Sequence, residues 1–402
     1  MLSYTEQINK EKKEMGYPIL FMILMVCAVS NAFLIGIHVL TLVSILYFLL
    51  KNKVTIQSKT VILFLFAVFY TVFYLISNGF SLDPFKTFTF LLLWLAVYDL
   101  SKNKSIKQIF VFIVILGLGM AIHGIANFIY NTINGTEMIN GRSYDFWSQS
   151  YSSATGQAIN FTLFVSISFW IVFLQKNFFL KLLGIAIFII SLVYDVQLGG
   201  RTFLVLCIGS IALGVLVYII VNGAVGGNIK KTLLLLLSVV IVILLFIVAF
   251  NQNWFGIRTL YENSYLAKRL DNPNSTDLRE DGRVEKKLYY LQHFFDNLWG
   301  GRLMEEAVGS SHELWLDIYD TAGIVPYVLI IIFTFQSVKT VWRIAREKKI
   351  AVSYRVGLIV YIVVILAQFF VEPILAGAPM LFCSYLMIDA ALTRFCDDND
   401  MV

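Results

Sequence analysis

The chain has 402 residues, of which 58% are hydrophobic, 15% are aromatic and only 14% are charged. Soluble globular domains contain about 45–50% apolar and about 25% charged residues, so this chain has too little polar surface to cover a soluble core. The formal net charge of +5 comes from 31 Lys and Arg against 26 Asp and Glu. In a membrane protein such an excess orients the helices and does not indicate nucleic-acid binding. The composition therefore excludes a soluble domain and predicts a polytopic membrane protein.

Twelve apolar runs, each bounded by charged or turn residues, are predicted to be transmembrane helices. A spanning helix needs about 20 apolar residues, and the runs lack the alternation of barrel strands. They lie at 17–31, 33–50, 60–77, 85–100, 109–131, 156–175, 178–196, 200–222, 231–250, 322–342, 354–371 and 374–391. Residues 17–50 are too long for one upright helix and short for two, and we expect the polar pair Ser30-Asn31 to separate two short or tilted helices.

The distribution of Lys and Arg predicts the orientation of the chain. Basic residues cluster in alternate connections, which places both termini in the cytoplasm and two long connections, 132–155 and 251–320, outside. We therefore predict three parts: residues 1–250 with helices 1–9, an extracytoplasmic helical subdomain at 251–321 that carries part of an active site, and residues 322–402 with helices 10–12 and a cytoplasmic tail.

Residues 283–298 of the large outer loop have helical periodicity. One apolar stripe is formed by Val284, Leu288, Leu291, Phe295 and Leu298, and the adjacent face carries Arg283, Lys286, Lys287 and Tyr290. Two interpretations remain open. The helix lies on the membrane surface with its basic residues at the headgroups, or Arg283, in the first turn, helps to bind an anion where exposed N–H groups and the helix dipole favour one.

A second candidate motif in this loop is Ser310-Ser311-His312-Glu313. Ser310 and Glu313 have the spacing of a capping box, which predicts that a helix begins here with His312 in its first turn. The positive end of the helix dipole would keep the imidazole neutral and able to accept a proton. The alternative is that His312 is an ordinary surface histidine.

The third candidate is the sequence Gly199-Gly200-Arg201 at the outer start of a predicted span. Outer span ends carry almost no other basic residues, so Arg201 is either a buried, substrate-facing cation or a headgroup anchor that extends toward the interface. The two glycines would let backbone or ligand approach closely. Arg142 in the first outer loop is a weaker candidate of the same kind.

No nucleotide-binding, metalloprotease or serine-hydrolase motif is present in the sequence, and no spacing indicates a metal site. The four cysteines lack CxxC spacing and support neither a disulfide framework nor a zinc site. An enzyme that relies on arginines and a histidine would bind an anionic leaving group and activate a hydroxyl. That chemistry suits transfer from a diphosphate-activated donor.

Three segments resemble the O-antigen polymerase and O-antigen ligase superfamily. They are SSHELWLDIYDTAGIVPYVL (310–329), GRVEKKLYYLQHFFDNLWGGRL (282–303) and GGRTFLV (199–205), which together cover about residues 190–330. The resemblance implies a GT-C-like, metal-independent glycosyltransferase in which Arg201 and Arg283 bind a lipid pyrophosphate and His312 is the base. The residue after the histidine is often Asn in that family and is Glu313 here.

The resemblance therefore implies a polymerase of undecaprenyl-pyrophosphate-linked repeat units in the bacterial cytoplasmic membrane, with no cofactor. Flippase and chain-length regulator proteins would be partners, together with the lipid-linked glycans and the bilayer. The implied catalytic residues are His312, Arg201 and Arg283, and the implied substrate-binding residues are Arg142, Glu313, Tyr290, Lys287 and Arg302. The alternatives are a ligase that passes the glycan to another acceptor and, from a different class, a flippase or transporter of lipid-linked oligosaccharide.

Overall fold

The computed structural model describes residues 16–51, 54–135, 141–224, 229–271 and 282–401. In chain order, the first five helices are α1 (Ile19–Val29), α2 (Gly36–Leu49), α3 (Ser58–Asn78), α4 (Lys86–Leu100) and α5 (Ile106–Asn134). An antiparallel hairpin follows, with strands β1 (Arg142–Asp145) and β2 (Ser150–Ser153). Within the described residues this hairpin is the exception to the predicted all-α class. It forms because side chains of β1 alternate between buried and exposed positions, as those of a half-buried strand do.

The middle of the chain contains four further long helices. They are α6 (Ala154–Phe169), extended by a π-helical turn at Trp170–Leu174, and α7 (Phe178–Leu198), α8 (Arg201–Ala224) and α9 (Ile229–Asn251). Short helices fill the large loop: α10 (Ile257–Glu262), α11 (Tyr265–Asp271), α12 (Arg283–Gln292), α13 (Leu303–Val308) and α14 (Leu314–Ala322). The chain closes with α15 (Ile324–Arg346), α16 (Val352–Phe369), α17 (Ile374–Gly377) and α18 (Pro379–Asp398).

Eleven of the twelve predicted spans each coincide with one helix, whereas the last, 374–391, is divided between α17 and α18. Asn31, in a left-handed conformation after α1, provides the predicted break. In the described part of the chain, eight helices are long and apolar enough to cross a membrane. They are α3, α5, α6 with its π-helical turn, α7, α8, α9, α15 and α16. The helices α1, α2 and α4 are shorter, and α18 carries charged residues in its second half, at Asp389, Arg394, Asp397 and Asp398.

The core of the bundle lies around α18, which packs against α4, α5, α6 and α15. Large aromatic side chains fill it, and Trp94, Phe112, Phe164 and Tyr385 are essentially inaccessible. Between membrane helices the hydrophobic effect contributes little, so close van der Waals packing decides which faces meet. The helix α9 is different, because Leu235 is its one buried residue among those described.

The two ends of the bundle are built differently. At one end, which we call the tail end, Lys59 at the start of α3 forms a buried ion pair with Asp389 of α18 (2.6 Å). Asn103 donates a backbone hydrogen bond to Asp398 at the same end. At the opposite end, the loop end, Ser77 and Asn78 of α3 donate hydrogen bonds to the large loop. The start of α3, the connection between α4 and α5 and the second half of α18 therefore lie at one end of the bundle.

Candidate functional site

Part of the large loop, residues 282–322, folds into a small subdomain around its own core. Tyr290 of α12 is fully buried there with Met304, Leu316 and Tyr319. The rings of Phe294 and Tyr319 stack with their centroids 4.1 Å apart. The predicted helices near 283–298 and 311–321 are confirmed as α12 and α14, although α12 ends at Gln292.

The carboxylate of Asp320 joins three pieces of this subdomain. It accepts hydrogen bonds from the backbone N–H groups of Met304 (3.0 Å) and Glu305 (2.9 Å), and so caps the start of α13. The hydroxyl of Tyr290 donates to the same carboxylate (3.3 Å). Tyr290 was predicted to bind substrate, but the structure places it inside the subdomain, where it connects α12 to α14.

The subdomain is attached to the loop end of the bundle through a glycine-rich turn. Gly300 (φ 86°) and Gly323 (φ 82°) both have left-handed backbones, and a Cβ on either would collide with main-chain atoms of the facing segment. Because they can approach so closely, Ile324 donates its N–H to the carbonyl of Leu298 (2.9 Å). Ser77 adds a hydrogen bond to the carbonyl of Trp299 (2.9 Å). These contacts fix the subdomain over the bundle.

His312 lies in a strained turn directly before α14. Its φ is 54°, and its backbone N–H donates to the hydroxyl of Ser310 (3.1 Å). The predicted capping box is wrong, because the helix begins at Leu314 and has Glu313 in an extended conformation at its N-cap. His312 therefore precedes the first turn, and the helix-dipole argument for its neutrality does not apply.

Tertiary contacts explain why the capping box does not form. Ser311 donates its hydroxyl to Asp317 (2.6 Å), and Ser310 lies 3.4 Å from the same oxygen. Glu313, which the motif assigns to the cap, instead reaches Lys287 of α12 (3.4 Å). Burial raises the pKa of Glu313 above its ordinary value, and Lys287 opposes that rise. Lys287 also donates to the carbonyl of Phe370 at the end of α16 (2.5 Å).

Arg201 lies at a different part of the loop end. It begins α8 after the turn Gly199-Gly200, and it is half-buried. The α11 residue Arg269 donates to the carbonyl of Gly199 (2.9 Å), while the ring of Tyr265 covers both Gly199 and Gly141. Gly141 precedes Arg142, which is exposed at the start of β1.

The elements that carry the two predicted residues Arg142 and Arg201 therefore meet, together with α11. Sequence reasoning missed Arg269, whose only local signal is a basic residue in the last turn of a short helix. Arg283 begins α12, but its side chain lies outside the described residues. Its convergence with Arg201 stays a prediction.

A cavity of about 250 Å³, lined by both apolar and polar side chains, lies between the loop subdomain and the bundle. Its walls come from α3, the start of α4, the loop subdomain and the segment of α17 and α18. The lining residues are Tyr70, Tyr74, Asp83, Pro84, Lys86, Thr87, Phe90, Arg302, Asp317, Ile318, Thr321, Leu375, Ala376 and Pro379. Of these, the sequence analysis had selected Arg302 alone.

One acidic residue that lines the cavity, Asp317, has a raised pKa. Burial raises the pKa of Asp317 to about 6, although the Ser311 hydrogen bond lowers it. Lys86 pairs with Asp83 (2.7 Å), and Lys86 lowers the pKa of that carboxyl. The guanidinium of Arg302 lies over the ring of Tyr74, 5.7 Å from its centroid. No sequence pattern indicated that Asp317 or Lys86 is a site residue. The two residues line the same cavity because distant segments of the chain fold together.

Among the described residues, no group of three or more His, Cys, Asp or Glu side chains could hold a metal ion. No protein-family model matches the chain, and no curated protein does. The fold and the site define a helical protein in which eight helices of the described ranges are suited to crossing a membrane. A compact helical subdomain covers one end of its bundle, with a cavity of mixed lining beneath.

Proposed function

We propose that the chain is a membrane glycosyltransferase that polymerises undecaprenyl-pyrophosphate-linked oligosaccharide repeat units into a surface polysaccharide, such as capsule, exopolysaccharide or O-antigen. In this proposal the architecture is GT-C-like with twelve spans in the bacterial cytoplasmic membrane. The tail end and both termini face the cytoplasm, because Lys and Arg are concentrated in the connections at that end. The loop end faces outward.

One observation carries the proposal. The turn with His312, the cavity with Asp317 and Arg302, and the start of α8 with Arg201 all lie at the same end of the bundle. At this end the cationic groups would meet the pyrophosphate of a lipid whose chain lies in the bilayer. The loop subdomain holds polar side chains at this end of the bundle. Such a subdomain is expected for group transfer at the membrane surface and is not needed for transport across the membrane.

The proposed reaction needs two roles. Arg201 and Arg283 would bind the pyrophosphate of the donor and stabilise the charge that develops as its bond to the sugar breaks. His312 would accept the proton of the attacking hydroxyl on the acceptor glycan. The glycosidic bond then forms, the donor lipid leaves as its pyrophosphate, and no metal or cofactor takes part.

The other implied residues have positions that suit this scheme. Lys287 holds Glu313, the neighbour of His312, and links it to the end of α16. Arg142 lies on the hairpin beside the start of α8, and Arg302 lines the cavity. Tyr290 would act from within the subdomain by holding α12 against α14.

The test is deletion of the gene, followed by analysis of glycan length on the cell surface and on the carrier lipid. A polymerase mutant retains single repeat units at the surface, and complementation with the wild-type gene restores long chains. Long chains that accumulate on the carrier lipid would indicate the ligase instead. Repeat units that stay on the cytoplasmic side would indicate a flippase, and either result would reject the polymerase.

A further inference from the structure

Both cations that line the cavity at the loop end lie beside a carboxylate. The ammonium of Lys86 faces Asp83 (2.7 Å), and the guanidinium of Arg302 faces Glu305 (3.9 Å). Each cation at this site therefore has an acidic neighbour. The electrostatics of the cavity therefore suit a ligand without strong charge.

The size and lining of the cavity also limit its occupant. Pockets for drug-sized ligands occupy about 300–1,000 Å³, so a cavity of about 250 Å³ suits a single sugar ring. Tyr70 and Tyr74 contribute aromatic rings to the lining, and Asp317, Lys86 and Arg302 contribute polar groups. Apolar walls with a few convergent polar groups are the usual composition of a small-molecule site.

Asp317 is held in a position to accept a hydrogen bond from such a ligand. In the described part of the chain, the hydroxyls of Ser311 and Ser310 are both directed at its Oδ1 atom (2.6 and 3.4 Å). The carboxyl also lines the cavity. Ser310 and Ser311 belong to the same turn as His312. These two serines therefore connect Asp317, which would orient the ligand, to the proposed base His312.

We propose that this cavity is the acceptor subsite, which holds the terminal sugar ring of the acceptor glycan while Asp317 accepts a hydrogen bond from a ring hydroxyl. The inference rests on the proposed function and adds to it the place of the second substrate. Asp317 is a binding and positioning residue here. The proton of the attacking hydroxyl still goes to His312.

The subsite has a pH dependence. The carboxylate accepts hydrogen bonds more strongly than the protonated acid, and burial places its pKa near 6. The groups that face Asp317 are the hydroxyls of Ser310 and Ser311, the acids Glu305 and Asp320, and, across the cavity, Lys86, Asp83, Arg302, Tyr70 and Tyr74. Acceptor binding should therefore weaken as the pH falls from 7 to 5.

The experiment separates acceptor from donor. The donor is the lipid-linked repeat unit extracted from the deletion strain, and the acceptor is the same oligosaccharide released from its pyrophosphate by mild acid, which has no leaving group. Full-length protein in vesicles is assayed with each varied in turn, and only the water-soluble product formed on the free oligosaccharide is counted, because the lipid-linked unit also ends in an acceptor sugar. Asp317→Asn should raise the acceptor KM by about tenfold or more, the loss expected for a hydrogen bond to a charged group, with donor KM unchanged. It should also abolish the pH dependence of acceptor KM.

Two further variants make the test decisive. Lys86→Gln changes an exposed side chain on the opposite wall and should also raise acceptor KM. Asp296→Asn makes the same chemical change as Asp317→Asn on an exposed carboxylate that pairs with His293 and lies outside the cavity, so it should leave both KM values unchanged.

The outcomes distinguish this inference from the proposed function. Transfer with unchanged acceptor KM in both cavity variants, or a rise in donor KM instead, would overturn the subsite and keep the transferase. If the wild type transfers nothing, saturation-transfer NMR with the free oligosaccharide reports on the cavity directly. Binding that Asp317→Asn weakens would keep the subsite while rejecting the polymerase, and binding that the variant leaves unchanged would overturn the subsite as well.

Discussion

Replacing Lys59 with Met should destabilise the protein more than any single change at an exposed lysine. Lys59 is buried and donates to Asp389 (2.6 Å), Thr340 (3.0 Å) and Thr393 (2.9 Å). Without Lys59, Asp389 keeps a hydrogen bond from Trp94 (2.8 Å) but has lost its counter-charge. Breaking one side of a buried ion pair costs about 3–5 kcal/mol, because the remaining charge is left uncompensated. We expect a loss of that size in the free energy of unfolding.

Two further variants test whether the uncompensated charge of Asp389 causes the loss of stability. Adding Asp389→Asn to Lys59→Met removes the uncompensated charge and should recover about half of the loss or more. Lys51→Met removes an ion pair with Asp99 (3.1 Å) in which the lysine is about half exposed, and should cost about 0–1 kcal/mol. The free energies are measured by reversible unfolding in mixed micelles, followed by tryptophan fluorescence. If Lys59→Met unfolds within about 1 kcal/mol of the wild type, the pair is not the stabilising contact described here.

Three further predictions concern the proposed reaction. His312→Ala should lower turnover by about 10²–10⁴-fold, the usual contribution of a positioned proton acceptor, and leave donor binding intact. His293→Ala, the control, should change turnover little, and equal turnover in the two variants would contradict the assignment of His312. Arg201→Lys should remove much of the activity, because lysine keeps the charge but loses the planar two-pronged donor geometry, and full activity in a transfer assay would reject a guanidinium–pyrophosphate contact. Transfer should continue at the same rate in the presence of chelators, and its loss on chelation would show that a metal takes part.

The helices could be predicted from sequence because their length is set by a local property. A run such as 231–250 is apolar from Leu233 to Phe250 apart from Ser238, and no tertiary contact is needed to identify it. The ends of helices were harder to predict. The periodicity of α12 continues to Leu298, but the helix ends at Gln292 because Phe294 turns inward to stack on Tyr319.

The details of the site depended on contacts between distant segments. The sequence around Ser310 has the spacing of a capping box, and an isolated peptide would have no reason to prefer another arrangement. In the folded chain the hydroxyls of Ser310 and Ser311 donate hydrogen bonds to Asp317, and Glu313 forms an ion pair with Lys287. These tertiary contacts override the local preference for a capping box. The cavity has no local signal at all, because its lining runs from Tyr70 to Pro379.

That wide spacing in sequence has a consequence for biogenesis. The chain is synthesised from its N-terminus, yet the wall formed by Leu375, Ala376 and Pro379 leaves the ribosome only after the loop subdomain, α15 and α16. The contact of Lys287 with Phe370 likewise waits for the end of α16. The loop subdomain can therefore fold early around its own core, but the cavity is not completely lined until α17 and the start of α18 have been synthesised. A nascent chain that stops before them would carry the turn of His312 without a complete cavity beneath it.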